Sequence, residues 1–270
     1  MTFFSKEYIV LLINRGCALN DPLRAGIKYI MIDLTPRQIQ ILRAIIQEFV
    51  ETAEPVGSDT IDKKYNIGVS PATIRNEMVQ LAEQGYLSKT HSSAGRTPTP
   101  VALKLYVNEL MKEKELSVAD EVSAKEKIWH CRKEIDELLE EMTKVLADRS
   151  HALGVSVLNQ QRVFHSGYAN LLSMPEFYDI NVMRQVLQLV EEVKSLDDIF
   201  SHTVSENQVQ VIYGQELGNK DLEPIGLIHM SFSVRGVPCR LGVLGSSRFD
   251  YAYIIPMMKY MRALVKELAE

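Results

Sequence analysis

Three helix starts written in the same way constrain this chain more than anything else in it. Thr35-Pro36, Ser70-Pro71 and Thr99-Pro100 each set a hydroxyl ahead of a proline. The hydroxyl can accept from an unpaired N–H of the first turn, and proline suits the first helical position because its N–H is not missed there. In the first case Gln38 completes a capping box with Thr35. Ile39, Leu42, Ile46 and Phe49 then recur at helical spacing, with Ile45 and Val50 widening the stripe, until Glu54-Pro55-Val56-Gly57 ends the helix. Ser58 is read as the cap of a short second helix running to about Tyr65, and Asn66-Ile67-Gly68 turns the chain. The third helix runs from Ser70-Pro71 to Gly85. Tyr86 to His91, a turn through Ser92-Ser93-Ala94-Gly95, and Arg96-Thr97 before Pro98 read as a two-stranded hairpin. The helix opened by Thr99-Pro100 carries Leu103, Tyr106, Val107 and Leu110 on one side.

The order helix, helix, helix, hairpin over residues 34–112 is that of a winged helix-turn-helix, whose third helix enters the DNA major groove. On a helical wheel Ile74, Met78 and Leu81 share the side expected to face the core, with Ala72, Thr73, Asn76 and Gln80 roughly opposite. Asn76 and Gln80 can offer an amide pair to adenine, and the methyls of Ala72 and Thr73 can meet a thymine methyl. Arg75 flanks that face, placed for a phosphate or an edge guanine. Ser70 and the helix N-terminus add N–H groups toward phosphate. Ser58, Lys64, Lys89, His91, Ser93 and Arg96 are the expected phosphate contacts, with the minor groove as a second target for Arg96. The bland reading is a three-helix unit with a solvated polar face. Eight cations between Leu34 and Met111 are balanced by as many acids.

Composition narrows the classes. The net charge of −5 argues against nonspecific coating of nucleic acid but leaves a local DNA face open. With 46% hydrophobic and 24% charged residues the chain reads as soluble and globular, and no apolar run is long enough to span a bilayer. Cys17, Cys131 and Cys239 are odd in number and far apart, which fits reduced thiols and a cytoplasmic location. The six histidines have no partner at metal-ligand spacing, and neither a nucleophile elbow nor a phosphate-binding glycine loop occurs. No enzyme, cofactor or metal is therefore expected.

Residues 1–33 show no periodicity. They read either as an extension outside the functional fold or as a short extra helix. Within 113–150, a polar linker to about residue 123 precedes a long helix. Its Ile128, Cys131, Ile135, Leu138, Met142 and Val145 alternate three and four apart, broadened by Leu139 and Leu146. That seam suits pairing with a second copy and equally suits packing on its own domain; the dimer reading is the one carried forward. Trp129 beside it reads as packing. Residues 151–270 mix strands (154–158, 162–165, 209–213, 227–234, 239–244) with a helix over 181–193. A final helix after Asp250 buries Ile254, Ile255, Met258, Met261 and Leu264. This is an α+β domain with a largely antiparallel sheet, in a multidomain α+β chain. Asp250 is read as a helix cap and Arg248 as an ion-pair partner.

Several runs together resemble one family. They are Leu34-Thr35-Pro36-Arg37-Gln38, Glu54-Pro55-Val56-Gly57-Ser58, Ser70 to Met78, and Ser93-Ala94-Gly95-Arg96-Thr97-Pro98-Thr99. To these are added Asn170-Leu171-Leu172-Ser173-Met174-Pro175-Glu176-Phe177 and the run from Gly242 to Tyr251. In order and spacing they resemble the bacterial heat-inducible transcription repressors, the HrcA family. The resemblance implies a GAF-like domain over 151–270 and a repressor of chaperone operons. Such a repressor binds an inverted repeat in double-stranded DNA as a homodimer, with a chaperonin as modulator. The chain departs from the family in two places. Ala147 to Ser166 is all that stands where the family has a much longer stretch with further strands and an inserted dimerisation domain, so the GAF-like sheet is expected to be truncated. Tyr213-Gly214-Gln215-Glu216-Leu217 also differs from the family's usual run. A metabolite-sensing winged-helix regulator is the alternative reading.

Overall fold

The computed structural model describes residues 9–11, 30–32, 34–89, 95–201, 208–217 and 219–269. The chain divides into two units, Met1–Met111 and Lys112–Glu270. In the first, β1 (Ile9–Leu11) pairs antiparallel with β2 (Ile30–Ile32), Ile9 opposite Ile32. The short helix expected as one option for residues 1–33 is thus replaced, where it is described, by strand pairing.

Helices α1 (Pro36–Thr52), α2 (Ser58–Tyr65) and α3 (Pro71–Glu83) follow. Thr35 and Gln38 form the capping box in both directions, and Ala53 closes α1 in the left-handed region. Ile41, Leu42, Ile45 and Ile46 bury the inner face of α1, while Ile39 and Phe49 lie half-buried at its margins. Gly57, not Ser58, precedes α2, and no side chain caps it. Ser58 is the first helical residue and is buried. Ser70 caps α3 by accepting from the Thr73 N–H at 3.2 Å. Gly85 turns the chain at φ +84, a conformation that only glycine adopts without strain.

Strands β3 (Leu87–Ser88) and β4 (Thr97–Pro98) pair antiparallel, and Val56 and Arg96 exchange both backbone hydrogen bonds at 2.9 Å. Gly95 makes that approach possible, because a Cβ there would lie 2.5 Å from the carbonyl carbon of Val56. Thr99 caps α4 (Pro100–Leu105), which passes into a π turn at Tyr106–Leu110.

The second unit corrects the expected long helix. It is two helices, α5 (Val118–His130) and α6 (Ile135–Ser150), separated by a turn over 131–134. The polar linker is also shorter than expected, since Ser117 already caps α5. Strands β5 (Leu153–Leu158), β6 (Arg162–Ser166), β7 (Gln210–Tyr213), β8 (Ile225–Val234) and β9 (Val237–Ser246) make one antiparallel sheet in the order β6-β5-β9-β8-β7. Arg235 and Gly236, both at positive φ, form the two-residue loop joining β8 to β9.

Alternation along the strands sends successive side chains to opposite faces. Leu153, Val155, Val157, Ile225 and Leu227 pack with α7 (Tyr168–Leu171), α8 (Ile180–Glu191) and α9 (Val193–Ser201). Sequence had suggested one helix where α8 and α9 stand. On the other face α6 seats on the sheet. There Gly154 lets the Thr143 backbone approach, and Thr143 Oγ1 and Ser156 Oγ share a hydrogen bond of 2.6 Å. The last helix, α10 (Tyr251–Ala269), buries Ile254, Ile255, Met258, Met261 and Leu264. Asp250 precedes it and pairs with Lys114 at 2.7 Å. Trp129 is 43% exposed, with the Arg132 guanidinium 4.1 Å above its ring, so it is surface and not packing.

Candidate nucleic-acid interface

Helix α3 has one inner and one outer face. Ile74, Met78 and Leu81 are buried, and Ala72, Arg75, Asn76, Val79, Gln80 and Glu83 are exposed. At 100° per residue, Ala72, Asn76, Val79 and Glu83 fall on one line along the helix, with Arg75 on one flank and Gln80 on the other. Val79 was missed by sequence reasoning, which took its methyl contacts from Ala72 and Thr73 in the first turn. Its place was nevertheless readable from the wheel, since it lies about 140° from Ile74, close to the roughly 160° of Ala72. An exposed valine between amides is suited to a thymine methyl.

The first turn of α3 is ordered by Ser70, whose Oγ lies 3.0 Å from Thr73 Oγ1. Thr73 is therefore half-buried and engaged with its own cap. Gln80 is also engaged, its Oε1 accepting from Gln38 Nε2 at 3.0 Å, and Arg37 pairs with Glu77 at 3.5 Å. Both contacts tie α1 to the flank of α3.

Other expected phosphate contacts have different roles. Lys64 Nζ donates to both oxygens of Glu48, at 2.7 and 2.9 Å, and the Glu48 side chain is only 5% exposed. Tyr65 donates to the same carboxylate at 3.3 Å. Burial and the negative charges of Glu48 and Glu51 push the Tyr65 hydroxyl up to about 12. Lys64 is thus the counter-ion of a buried acid, a pairing that no local signal announced because the partners lie on different helices. Ser58 is buried and does not face solvent. Lys89 is exposed at the end of β3. Arg96 is half-buried, with its Nε enclosed and without a hydrogen-bond partner among the described residues. His91 and Ser93 lie outside the described residues.

The expected dimer seam is spent inside the second unit. Ile128, Leu138, Met142 and Val145 are at most 2% exposed, and α6 packs against the sheet while α5 packs against α10. Cys131 falls in the turn between the two helices and Ile135 at the first position of α6, both half-buried. The seam spacing came from two helices filling one core.

Arg248 is the ion-pair partner that sequence suggested. It meets Glu176 with Nε–Oε1 at 2.6 Å and Nη2–Oε2 at 3.0 Å, and Ser246 donates to the same carboxylate at 2.8 Å. Burial pushes the Glu176 carboxyl up, but these hydrogen bonds outweigh it and hold it below the usual range. The bridge joins the Met174-Pro175-Glu176-Phe177 stretch to the end of β9. Among the described residues no group of His, Cys, Asp or Glu is placed to hold a metal, and no helix is long and apolar enough to cross a membrane.

A small helical unit with a hairpin, followed by a helix-covered antiparallel sheet, defines a modular α+β protein. Comparison with known proteins gives the family. A family model described as HrcA protein C terminal domain matches residues 74–255. The heat-inducible transcription repressor HrcA of Clostridioides difficile is 33% identical over 214 residues, covering 75% of this chain and 61% of that one. The protein of the same name from Pelotomaculum thermopropionicum is 28% identical over 338 residues, covering 88% of this chain and 97% of that one. The chain belongs to the HrcA family. The second alignment is longer than the 270 residues of this chain, so the relative carries internal segments that are missing here and this is a shortened member. A solved structure described only as a hypothetical protein shares the fold, with a TM-score of 0.69 at 18% identity over 87% of this chain and 99% of that one.

Proposed function

We propose that residues 34–112 form a winged helix-turn-helix, and that this chain is a sequence-specific DNA-binding repressor of heat-shock operons acting in the cytoplasm. The observation that carries the reading is the outer line of α3. Ala72, Asn76 and Val79 stand exposed beside Arg75, on a helix whose opposite face is fixed in the core by Ile74, Met78 and Leu81. Hydrogen-bonding amide, cation and methyl groups on a rigid helix are what base edges in a major groove require. The hairpin beside it, with Lys89 at one end and Arg96 at the other, supplies the wing.

Binding to an inverted repeat requires two copies, since a dimer engages both half-sites where a monomer holds one weakly. The second unit, a shortened GAF-like domain in this reading, carries the dimer through a surface other than the buried α5–α6 seam. Heat then acts through the marginal stability of that unit, releasing the operator, and a chaperonin free of unfolded clients restores the competent form. Selection of duplexes from a random pool tests this. An enriched inverted repeat that is released on heating and rebound after chaperonin treatment is the expected outcome. A pool that shows no enrichment contradicts the assignment.

A further inference from the structure

The exposed amide of Gln80 is not free to turn over. Gln38 on α1 is 3% exposed, and the two ends of its amide are held separately. The backbone N–H of Thr35 donates to Gln38 Oε1 at 2.9 Å. A backbone N–H has only a proton to offer, so the Gln38 atom it meets is oxygen and the other end is NH2. That NH2 donates to Gln80 Oε1 at 3.0 Å. The Gln80 atom facing α1 is therefore oxygen, and its own NH2 is left for the exposed side of α3. Neither amide can flip without setting two like groups face to face.

We propose that Thr35, Gln38 and Gln80 form a polarity relay that presents Gln80 to DNA as a hydrogen-bond donor, selecting guanine or thymine over cytosine at the base it meets. The inference rests on the reading of α3 as the groove helix and specifies its chemistry. Guanine offers N7 and O6 and thymine offers O4 as major-groove acceptors, cytosine offers only its N4 donor, and adenine sets an N7 acceptor beside its N6 donor. A bidentate contact to adenine needs the oxygen and the NH2 of one amide together. Here the oxygen is turned toward α1, so the adenine contact expected from sequence is replaced for Gln80. Asn76 has no such constraint from Gln38.

Gln38→Glu is the direct probe. Glutamate at the third helical position still completes the capping box by accepting from Thr35. Its second oxygen can only accept, so Gln80 must turn its NH2 inward and present its oxygen to the groove. The selected operator is varied one base pair at a time, and each duplex is titrated by fluorescence anisotropy with wild type, Gln38→Glu and Gln80→Ala. Melting curves identify any variant that fails to fold, in which case Gln38→Met, which keeps the length and lacks the amide, takes its place. At one base pair per half-site, wild type should prefer guanine or thymine to cytosine about tenfold, the size of one mismatched contact. Gln38→Glu should reverse that preference toward cytosine, Gln38→Met should relax it, and Gln80→Ala should level it. An unchanged preference in the Gln38 variants overturns the relay. So does uniform weakening on every duplex, which a phosphate contact or the added negative charge would give by itself. If wild type binds no duplex, it is the reading of α3 that fails, a result distinguishable from either.

Discussion

His229 on β8 is fully enclosed, edge-on to the Phe200 ring at a centroid distance of 5.1 Å, and neither ring nitrogen has a hydrogen-bond partner among the described residues. Burial lowers its pKa from 6.5 to about 4. Between these values the unfolded chain takes up a proton at this position and the folded chain does not. The stability tied to neutral His229 is therefore complete above pH 6.5 and is lost as pH falls through that window. At about 1.4 kcal/mol per pKa unit the full window is worth about 3 kcal/mol, and about 2 kcal/mol is already lost at pH 5. Leucine is close to histidine in volume and needs no hydrogen bonds. Each unmade bond of a buried polar atom costs about 1–3 kcal/mol, partly offset by repacking around a new shape. His229→Leu should raise stability at pH 7.5 by about 1–2 kcal/mol. It should also flatten the fall between pH 7.5 and 5 by about 2 kcal/mol. Urea unfolding followed through Trp129, the single tryptophan and part of the same unit, measures both. Ionisations elsewhere in the chain are common to both proteins and cancel in the comparison. Parallel pH profiles, or a variant weaker than wild type at pH 7.5, would refute the reasoning.

Three further outcomes follow from the geometry. Gly95→Ala sets a methyl within 2.5 Å of the Val56 carbonyl carbon, so melting should show a loss of about 1–3 kcal/mol in the first unit, with operator binding weakened alongside. Glu176→Gln leaves the Arg248 guanidinium, 14% exposed, without its carboxylate; chemical unfolding should register about 3 kcal/mol, much less when Arg248→Met is added. Lys64→Met removes the counter-ion of Glu48 and should lower the melting temperature. It should leave the slope of log K against log salt unchanged, whereas a lost phosphate contact would reduce that slope by about 0.9.

The helix starts were legible because their signals are local. Thr35, Ser70 and Thr99 cap the helices they precede, and each acts through atoms within three residues. The break between α5 and α6 was not legible. Cys131-Arg132-Lys133-Glu134 contains neither glycine nor proline, and the apolar spacing runs across it without a gap. Tertiary packing decides there, because α5 lies against α10 while α6 lies on the sheet, and helix propensity is too weak to hold one axis against both. The same distinction divides the interface. The inner face of α3 follows from helical period alone. The roles of Lys64 and Gln80 depend on Glu48 and Gln38, sixteen and forty-two residues away, which no local pattern connects to them.

The most direct test of the central claim is fluorescence anisotropy of wild type, Arg75→Ala and Asn76→Ala on the inverted repeat upstream of chaperone operons, beside a scrambled duplex, at two salt concentrations. The account predicts tight, salt-dependent binding that favours the repeat, weakened by both substitutions, with Asn76→Ala also relaxing base preference. Absence of binding at low salt, or equal binding of all three proteins to both duplexes, would contradict it.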